Sequence, residues 1–387
     1  MEKIYEKYGK IYVAPIAPIV PGTFGDVYKT RRVIMMKRKI LVGLCSVCFC
    51  GITALASAAG LPNVRILATG KTIAGTANKA TTMTGYKAGV LGIQTLIDAV
   101  PQIKSIANIE GEQIANLDSK DMTTDVSLKL ADRCNQLLAR SDVNGIVITH
   151  GTDTLEETAY FLNLTVKSKK PVVIIGAMRP ATAISADGPV NLLNAVTLAA
   201  DPKAVGQGVL IAMNDNINAA RDTTKTNTSN VATFKAPEMG IIGYFTNGQP
   251  YFYRKDLRKN TWQTEFNVKG LKTLPRVDII YTHINDDSAL VNAAIAAGAK
   301  GIVYAGSGMG SVPKDAYPGL TEAIKKGVVV VRSSRVGNGM IIDDPSYVAM
   351  NFLPGDNLNP QKARILLQLA LTKTTDLKEI QRMFAEY

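Results

Sequence analysis

An α/β fold in two parts is what this sequence predicts: a large N-terminal α/β domain on a mostly parallel sheet, then a smaller C-terminal parallel α/β domain. Three observations carry that reading. Short apolar runs of strand length alternate with stretches of helical periodicity. A polar, basic, weakly periodic stretch interrupts the alternation over residues 254–275. The chain of 387 residues suffices for two cores more comfortably than for one.

In order, Val64 to Thr69 reads as the first strand, followed by a glycine-containing turn and a helical stretch from Gly89 through Leu91, Ile93, Leu96 and Ile97. Val143 to Thr149 is another strand; the turn His150, Gly151, Thr152, Asp153 leads into a helix from Leu155 to about Leu164. Pro171 to Gly176 and Gly208 to Met213 repeat the strand signal, with helical segments between. Strands this apolar suit a parallel sheet covered on both faces. Beyond the link, Val277 to Thr282, Gly301 to Ala305 and Val328 to Val331 resume the alternation, with a helix through Leu290, Val291, Ala293 and Ala294. Pro360 suits the first turn of a helix reaching about Leu371, and a last helix ends near Tyr387. The expected division is a leader over 1–58, domains over 59–253 and 276–387, and the link over 254–275.

The net charge of +12 invites a nucleic-acid reading, but its location argues otherwise. Residues 1–58 hold nine basic and three acidic side chains, half of the excess. Within them, residues 36–58 have the parts of a secretory signal: Lys37, Arg38 and Lys39, an apolar stretch from Ile40 to about Leu55, and the small residues Ala56, Ser57 and Ala58. Cleavage after Ala58 gives a periplasmic or secreted protein with no stable membrane association. Residues 1–34 have no evident task ahead of such a signal, and Met35 and Met36 offer starts. Of the four cysteines only Cys134 lies beyond the leader, so no internal disulfide is expected after processing.

In parallel sheets, ligands bind beyond the carboxyl ends of strands, where Thr72 and Thr152 both fall. A threonine hydroxyl becomes a nucleophile only beside a base or an electrostatic partner. Asp153 adjoins Thr152, Lys225 lies in Thr224, Lys225, Thr226, Asn227, and Tyr86 follows Thr72 in a run of small and polar residues. An Asp that holds a Lys, and a Lys that takes a proton from a threonine, give Thr152, Asp153 and Lys225 a proton-transfer role. Threonines before helices are also ordinary caps. Gly70, Lys71, Thr72 matches the tail of a phosphate-binding loop, but Arg65 stands where its first glycine belongs. The two histidines, His150 and His283, have no metal-site spacing; His150 is either a base or a structural residue. Gly306, Gly308 and Gly310 lack the acidic residue a dinucleotide site needs.

Five segments, in order, resemble the bacterial type II L-asparaginases and glutaminase-asparaginases: Ile66 to Gly70 with Thr72 to Gly75, His150 to Glu157, Gly176 to Pro180, Ser185 to Gly188, and Asn357 to Arg364. The resemblance covers essentially all of Leu61–Tyr387. It implies hydrolysis of L-asparagine, with weaker action on L-glutamine, through a threonine nucleophile and an acyl-enzyme, without metal or organic cofactor. It makes Thr72 the nucleophile, Tyr86 its partner on a lid, and Thr152, Asp153 and Lys225 the second threonine with its Asp and Lys. Ser119 corresponds to the residue holding the substrate α-carboxylate, and Asp153 also faces the α-ammonium. It further implies a homotetramer with sites between subunits, Ser311 serving the neighbour's site and Asp343 or Asp344 supplying its acidic ligand.

Two lysines depart from the family pattern. Lys71 replaces the second glycine of the first turn, where a positive φ would strain it by roughly 1 kcal/mol or more. Lys120 replaces the Gln or Glu that helps hold the α-ammonium, and a cation there is expected to weaken substrate binding. A protein that binds aspartate or asparagine with impaired turnover is the alternative these lysines raise.

Overall fold

A computed structural model gives the fold and describes residues 60–70 and 92–387. Thr72, Tyr86 and Lys71, and the leader, lie outside the described residues. Two sheets organise the chain. The first has eight strands in the order β10-β9-β6-β5-β4-β3-β1-β2, and the second four in the order β11-β12-β13-β14.

In the first sheet, β1 (Asn63–Ala68), β2 (Asn108–Gln113), β3 (Gly145–Thr149), β4 (Val172–Ile175) and β5 (Val209–Met213) run parallel. β3, β4 and β5 are buried along their whole length, as parallel strands between helical layers are. The edge strand β2 is polar, and its Glu110 pairs with Arg65 of β1. Charge on an edge strand discourages pairing with another chain, and it also hides the strand from a reading based on apolar runs.

The opposite edge is antiparallel, which the alternation pattern did not foresee. β6 (Asn216–Ala219) folds back on β5 through Asn214 and Asp215, at φ 52° and 59°. β9 (Gly243–Thr246) and β10 (Gln249–Phe252) close through Asn247 and Gly248, at φ 52° and 71°. Two-residue hairpins need left-handed backbone at both loop positions, which Asn, Asp and Gly supply at least cost. A separate antiparallel ribbon is formed by β7 (Thr224–Lys225) and β8 (Phe234–Lys235).

Helices α1 (Ile93–Asp98), α2 (Thr124–Leu138), α3 (Leu155–Thr165) and α4 (Gly188–Ala200) belong to the first sheet. The second sheet, β11 (Val277–Tyr281), β12 (Gly301–Gly306), β13 (Val329–Ser334) and β14 (Phe352–Pro354), is all parallel. Helices α5 (Ala289–Ala296) and α6 (Tyr317–Lys325) share a separate small core with it, and α7 (Pro345–Val348) leads into β14. Helix α8 (Pro360–Ala370) covers its other face, where Leu367 lies so close to Gly301 that a Cβ there would sit 2.7 Å from its Cδ2.

α8 also packs against α3, and both helices are buried nearly all round. A helix buried on nearly every side lies between layers, and these two form the seam joining the sheets, with Glu156 and Lys362 buried among their leucines. Leu366, Leu367 and Leu369 are each fully buried there, a stabilisation of about 1.5–3 kcal/mol apiece. The polar stretch 254–275 is not a loose tether. Phe266 and Val268 enter the main core, and Thr264 Oγ1 donates to the Leu164 carbonyl at 2.5 Å. The final helix α9 (Leu377–Glu386) delivers Tyr387 to a buried position, where its carbonyl oxygen accepts from Arg221 Nε at 2.8 Å and Tyr160 Oη at 3.1 Å. Among the described residues, no helix is long and apolar enough to cross a membrane.

Candidate active site

Neighbouring strands β3, β1 and β2 end on one edge of the first sheet, and three polar segments leave from there. The chain leaves β1 through Thr69, whose N–H and Oγ1 both donate to the Thr149 carbonyl, at 3.0 and 3.1 Å. Gly70 follows at φ +118°, where a Cβ would meet the Leu117 carbonyl oxygen at 2.6 Å. Only glycine combines that backbone conformation with that approach. Gly70 thereby lies directly against the segment leading to Ser119.

The second turn follows β3. His150 is wholly buried, its Nδ1 2.7 Å from the Gly151 carbonyl and its Nε2 3.0 Å from Thr158 Oγ1. The carbonyl accepts only, so Nδ1 carries the proton and Nε2 accepts from the hydroxyl. Burial pushes the imidazole down to about 4. With both nitrogens engaged, His150 is a structural residue that braces the turn, which settles the choice left open above against a base.

Thr152 and Asp153 come next, and Lys225 reaches them from β7. Lys225 Nζ donates to Thr152 Oγ1 at 3.0 Å and to Asp153 Oδ1 at 2.7 Å. Thr152 is 6% exposed. Ser119, 2% exposed, ties in the third segment: its Oγ accepts from Asp153 N–H at 3.2 Å, and its carbonyl accepts from Thr154 Oγ1 at 2.7 Å. The structure thus joins Thr152, Asp153, Lys225 and Ser119 in one hydrogen-bonded group, from residues up to 106 positions apart.

Lys120 turns away from that group. Its ammonium pairs with Asp118 at 3.1 Å and Asp121 at 2.8 Å, the side chain is 63% exposed, and these carboxylates, Asp121 foremost, raise its pKa. The positive charge expected to repel a substrate ammonium is therefore matched by two neighbouring carboxylates. Ser311, Asp343 and Asp344 lie elsewhere, beyond the carboxyl ends of β12 and β13. Ser311 closes a tight turn with Ser307 through paired backbone hydrogen bonds of 2.8 and 3.1 Å, and Asp344 caps α7, accepting from Ser346 N–H at 2.8 Å. Within one chain, the hydrogen bonds that unite the Thr152 group do not include them.

Two supporting residues escaped the sequence reading. A Cβ on Gly176 would lie 3.0 Å from Thr152 Cγ2 and 2.9 Å from the His150 carbonyl oxygen, so the β4 loop must be bare there. The buried Asp187 shapes that loop, its carboxylate accepting from the N–H groups of Met178 and Arg179, each at 2.9 Å. Both residues stand in segments quoted above for their resemblance, but only distances show what they touch.

A threonine hydroxyl joined to a lysine and an aspartate, at the carboxyl edge of the larger of two sheets, defines the class as a two-sheet α/β enzyme with its site at the strand ends. The family models narrow it: residues 63–258 match the N-terminal asparaginase domain and 276–384 the glutaminase/asparaginase C-terminal domain. L-asparaginase 2 of Bacillus subtilis (strain 168) is 58% identical over 327 residues, 84% of this chain and 87% of that protein. A probable periplasmic L-asparaginase of Haemophilus influenzae is 51% identical over 89% of this chain and 99% of its own length. The crystal structure of a probable cytoplasmic L-asparaginase from Campylobacter jejuni superposes with a TM-score of 0.83 at 49% identity, covering 84% of this chain and all of that one. The chain belongs to the glutaminase/asparaginase family.

Proposed function

We propose that this enzyme hydrolyses L-asparagine to L-aspartate and ammonia, with weaker action on L-glutamine, using two threonine turns. The reading rests on one observation above the others: the Lys225 ammonium bridges Thr152 Oγ1 and Asp153 Oδ1 at 3.0 and 2.7 Å. In the proposed cycle, Thr72 Oγ attacks the side-chain carboxamide carbon, and its proton is relayed through the Tyr86 hydroxyl, which gives up its own proton toward the leaving nitrogen as it accepts. Charge on the carbonyl oxygen is stabilised by N–H groups of the strand-end turns. The C–N bond breaks, ammonia leaves with a proton, and a water polarised at Thr152 and Lys225 hydrolyses the acyl-enzyme. Ser119, whose Oγ already accepts from Asp153 N–H, keeps its own proton to donate to the substrate α-carboxylate. Asp153 receives the α-ammonium. Paired recognition of both substrate charges is what a desolvated site demands.

The domain division over 59–253 and 276–387, export after cleavage at Ala58, and a homotetramer whose neighbours supply Ser311 and Asp343 or Asp344 complete the proposal. The test is ammonia release from asparagine by the chain beginning at residue 59, with Thr72→Ala, Thr152→Val and Lys225→Ala beside it. Each is expected to lose at least about a hundredfold in kcat. Full activity in Thr72→Ala would remove the nucleophile assignment; full activity in Thr152→Val or Lys225→Ala would remove the relay.

A further inference from the structure

Lys225 stands on a two-residue strand of a separate two-stranded ribbon, a poor platform for a group that must be held to within a fraction of an ångström. Its support comes from the far end of the chain. Glu156, in the first turn of α3, is 5% exposed; its Oε2 accepts from the Lys225 backbone N–H at 3.1 Å. Its other oxygen accepts from Gln361 Nε2 at 2.6 Å. Gln361 lies in the first turn of α8, and the next residue, the buried Lys362, donates from Nζ to the Arg221 carbonyl at 2.7 Å and the Thr223 carbonyl at 2.5 Å. Asn359, the cap of α8, places its Nδ2 3.4 Å from Thr224 Oγ1.

We infer that Glu156, held by Gln361, is a positioning residue for Lys225, and that the first turn of α8 sets the relay geometry from the C-terminal sheet of the same chain. The inference rests on the role given to Lys225 above. The segment Asn357 to Arg364 thereby acquires a task in the reaction beyond its packing in the seam. The geometry is economical: one carboxylate takes a donor from each domain, and both of its bonds are charge-assisted, about twice as strong as neutral ones. Lys362 and Asn359 hold the approach to Lys225 from the other side, so that the backbone from 221 to 225 is fixed at carbonyls, hydroxyl and N–H alike.

The test is a polarity swap. Gln361→Glu sets two carboxylates face to face where one hydrogen bond now stands. Glu156→Gln added to it restores the bond with donor and acceptor exchanged, while the new amide oxygen still accepts from Lys225 N–H. Asparagine kinetics are measured on the full chain for both single variants, the double variant and Lys225→Ala, with circular dichroism at the assay temperature to fix the folded fraction. Per folded enzyme, Gln361→Glu is expected to lower kcat by about 10- to 100-fold with KM within about threefold, and the double variant to recover most of that loss. Gln361→Met, which adds no charge and keeps the length, is read in parallel and is expected to lose kcat several-fold, which keeps the test open should Gln361→Glu fold poorly. If Lys225→Ala is inactive while Gln361→Glu and Gln361→Met keep the parental kcat, or if the double variant is no better than Gln361→Glu, the inference is overturned. If Lys225→Ala is fully active, the underlying role of Lys225 falls and the inference with it.

Discussion

Gly176→Ala isolates the contact between the β4 loop and the Thr152 turn. The added methyl would lie 2.9 Å from the His150 carbonyl oxygen, 3.0 Å from Thr152 Cγ2 and 3.3 Å from Leu155 Cδ1, against 3.4–4 Å for ordinary contact. The first two gaps are short by about half an ångström, and neither neighbour is the free end of a long side chain. The carbonyl belongs to a turn braced by the buried His150, and Thr152 is held by Lys225. Overpacking of this kind costs roughly 1–3 kcal/mol. Relief by moving Thr152 would stretch its bond to Lys225 from 3.0 Å toward 3.5 Å, and a misplacement of this order costs about tenfold in rate, given a hundredfold for about 1 Å. The expectation is a kcat lowered by about tenfold, a KM little changed, and a midpoint of thermal unfolding lower by several degrees. Ammonia release and calorimetry read both. A variant with parental kcat and a lowered melting point would show that the turn yields elsewhere and that the Thr152 position does not depend on the bare glycine.

Protonation of His150 gives a pH test of stability. Its imidazole ordinarily titrates near 6.5 and is pushed by burial to about 4, so between those values the unfolded chain binds a proton that the folded chain does not. Stability attributable to this residue therefore falls as pH drops from 6.5 to 4, by on the order of 3 kcal/mol in all; His150→Asn is expected to flatten that limb in urea titrations run across the range. Tyr387→Ala removes a ring 5.1 Å from Phe266 and a hydroxyl 3.0 Å from Glu265, and is expected to destabilise by about 3–5 kcal/mol; chemical denaturation with an unchanged midpoint would contradict the buried docking. Cys134 is wholly buried with its thiol pushed up to about 12, so a chain beginning at residue 59 should resist alkylation until denatured, as mass spectrometry of iodoacetamide-treated protein will show. Lys120→Gln is expected to change KM for asparagine by less than about threefold, because Asp118 and Asp121 already flank that charge; a larger fall would restore direct repulsion as its effect.

The apolar strands were legible because burial on both faces writes itself as continuous Val, Ile and Leu, as in β3, β4 and β5. Strand β2 was not, since its residues Asn108 to Gln113 face an edge where charge is favourable. The Asn214-Asp215 and Asn247-Gly248 hairpins carried a turn signal, but three of their strands, β6, β9 and β10, are four residues long and lack a continuous apolar run. Thr152, Asp153 and Lys225 were named from the strand-end position of Thr152, from the chemistry a threonine needs beside it and from the resemblance, and the structure brings these three together with Ser119. What no spacing along the chain reveals is the shared use of one carboxylate by residues 225 and 361, or the closeness of Gly176 to Thr152. Such contacts depend on how layers stack, which is decided only after strands and helices are in place.

The seam between α3 and α8 bears on when this protein can fold. α3 leads out of the Thr152 turn in the first half of the chain, but the helix that covers it, the last but one, begins only at Pro360. Until residue 370 has emerged, the amino-terminal half carries an apolar stripe without a cover, and contacts of such long range close slowly. Under the export proposed above, a cover that arrives this late leaves the amino-terminal half open for most of synthesis.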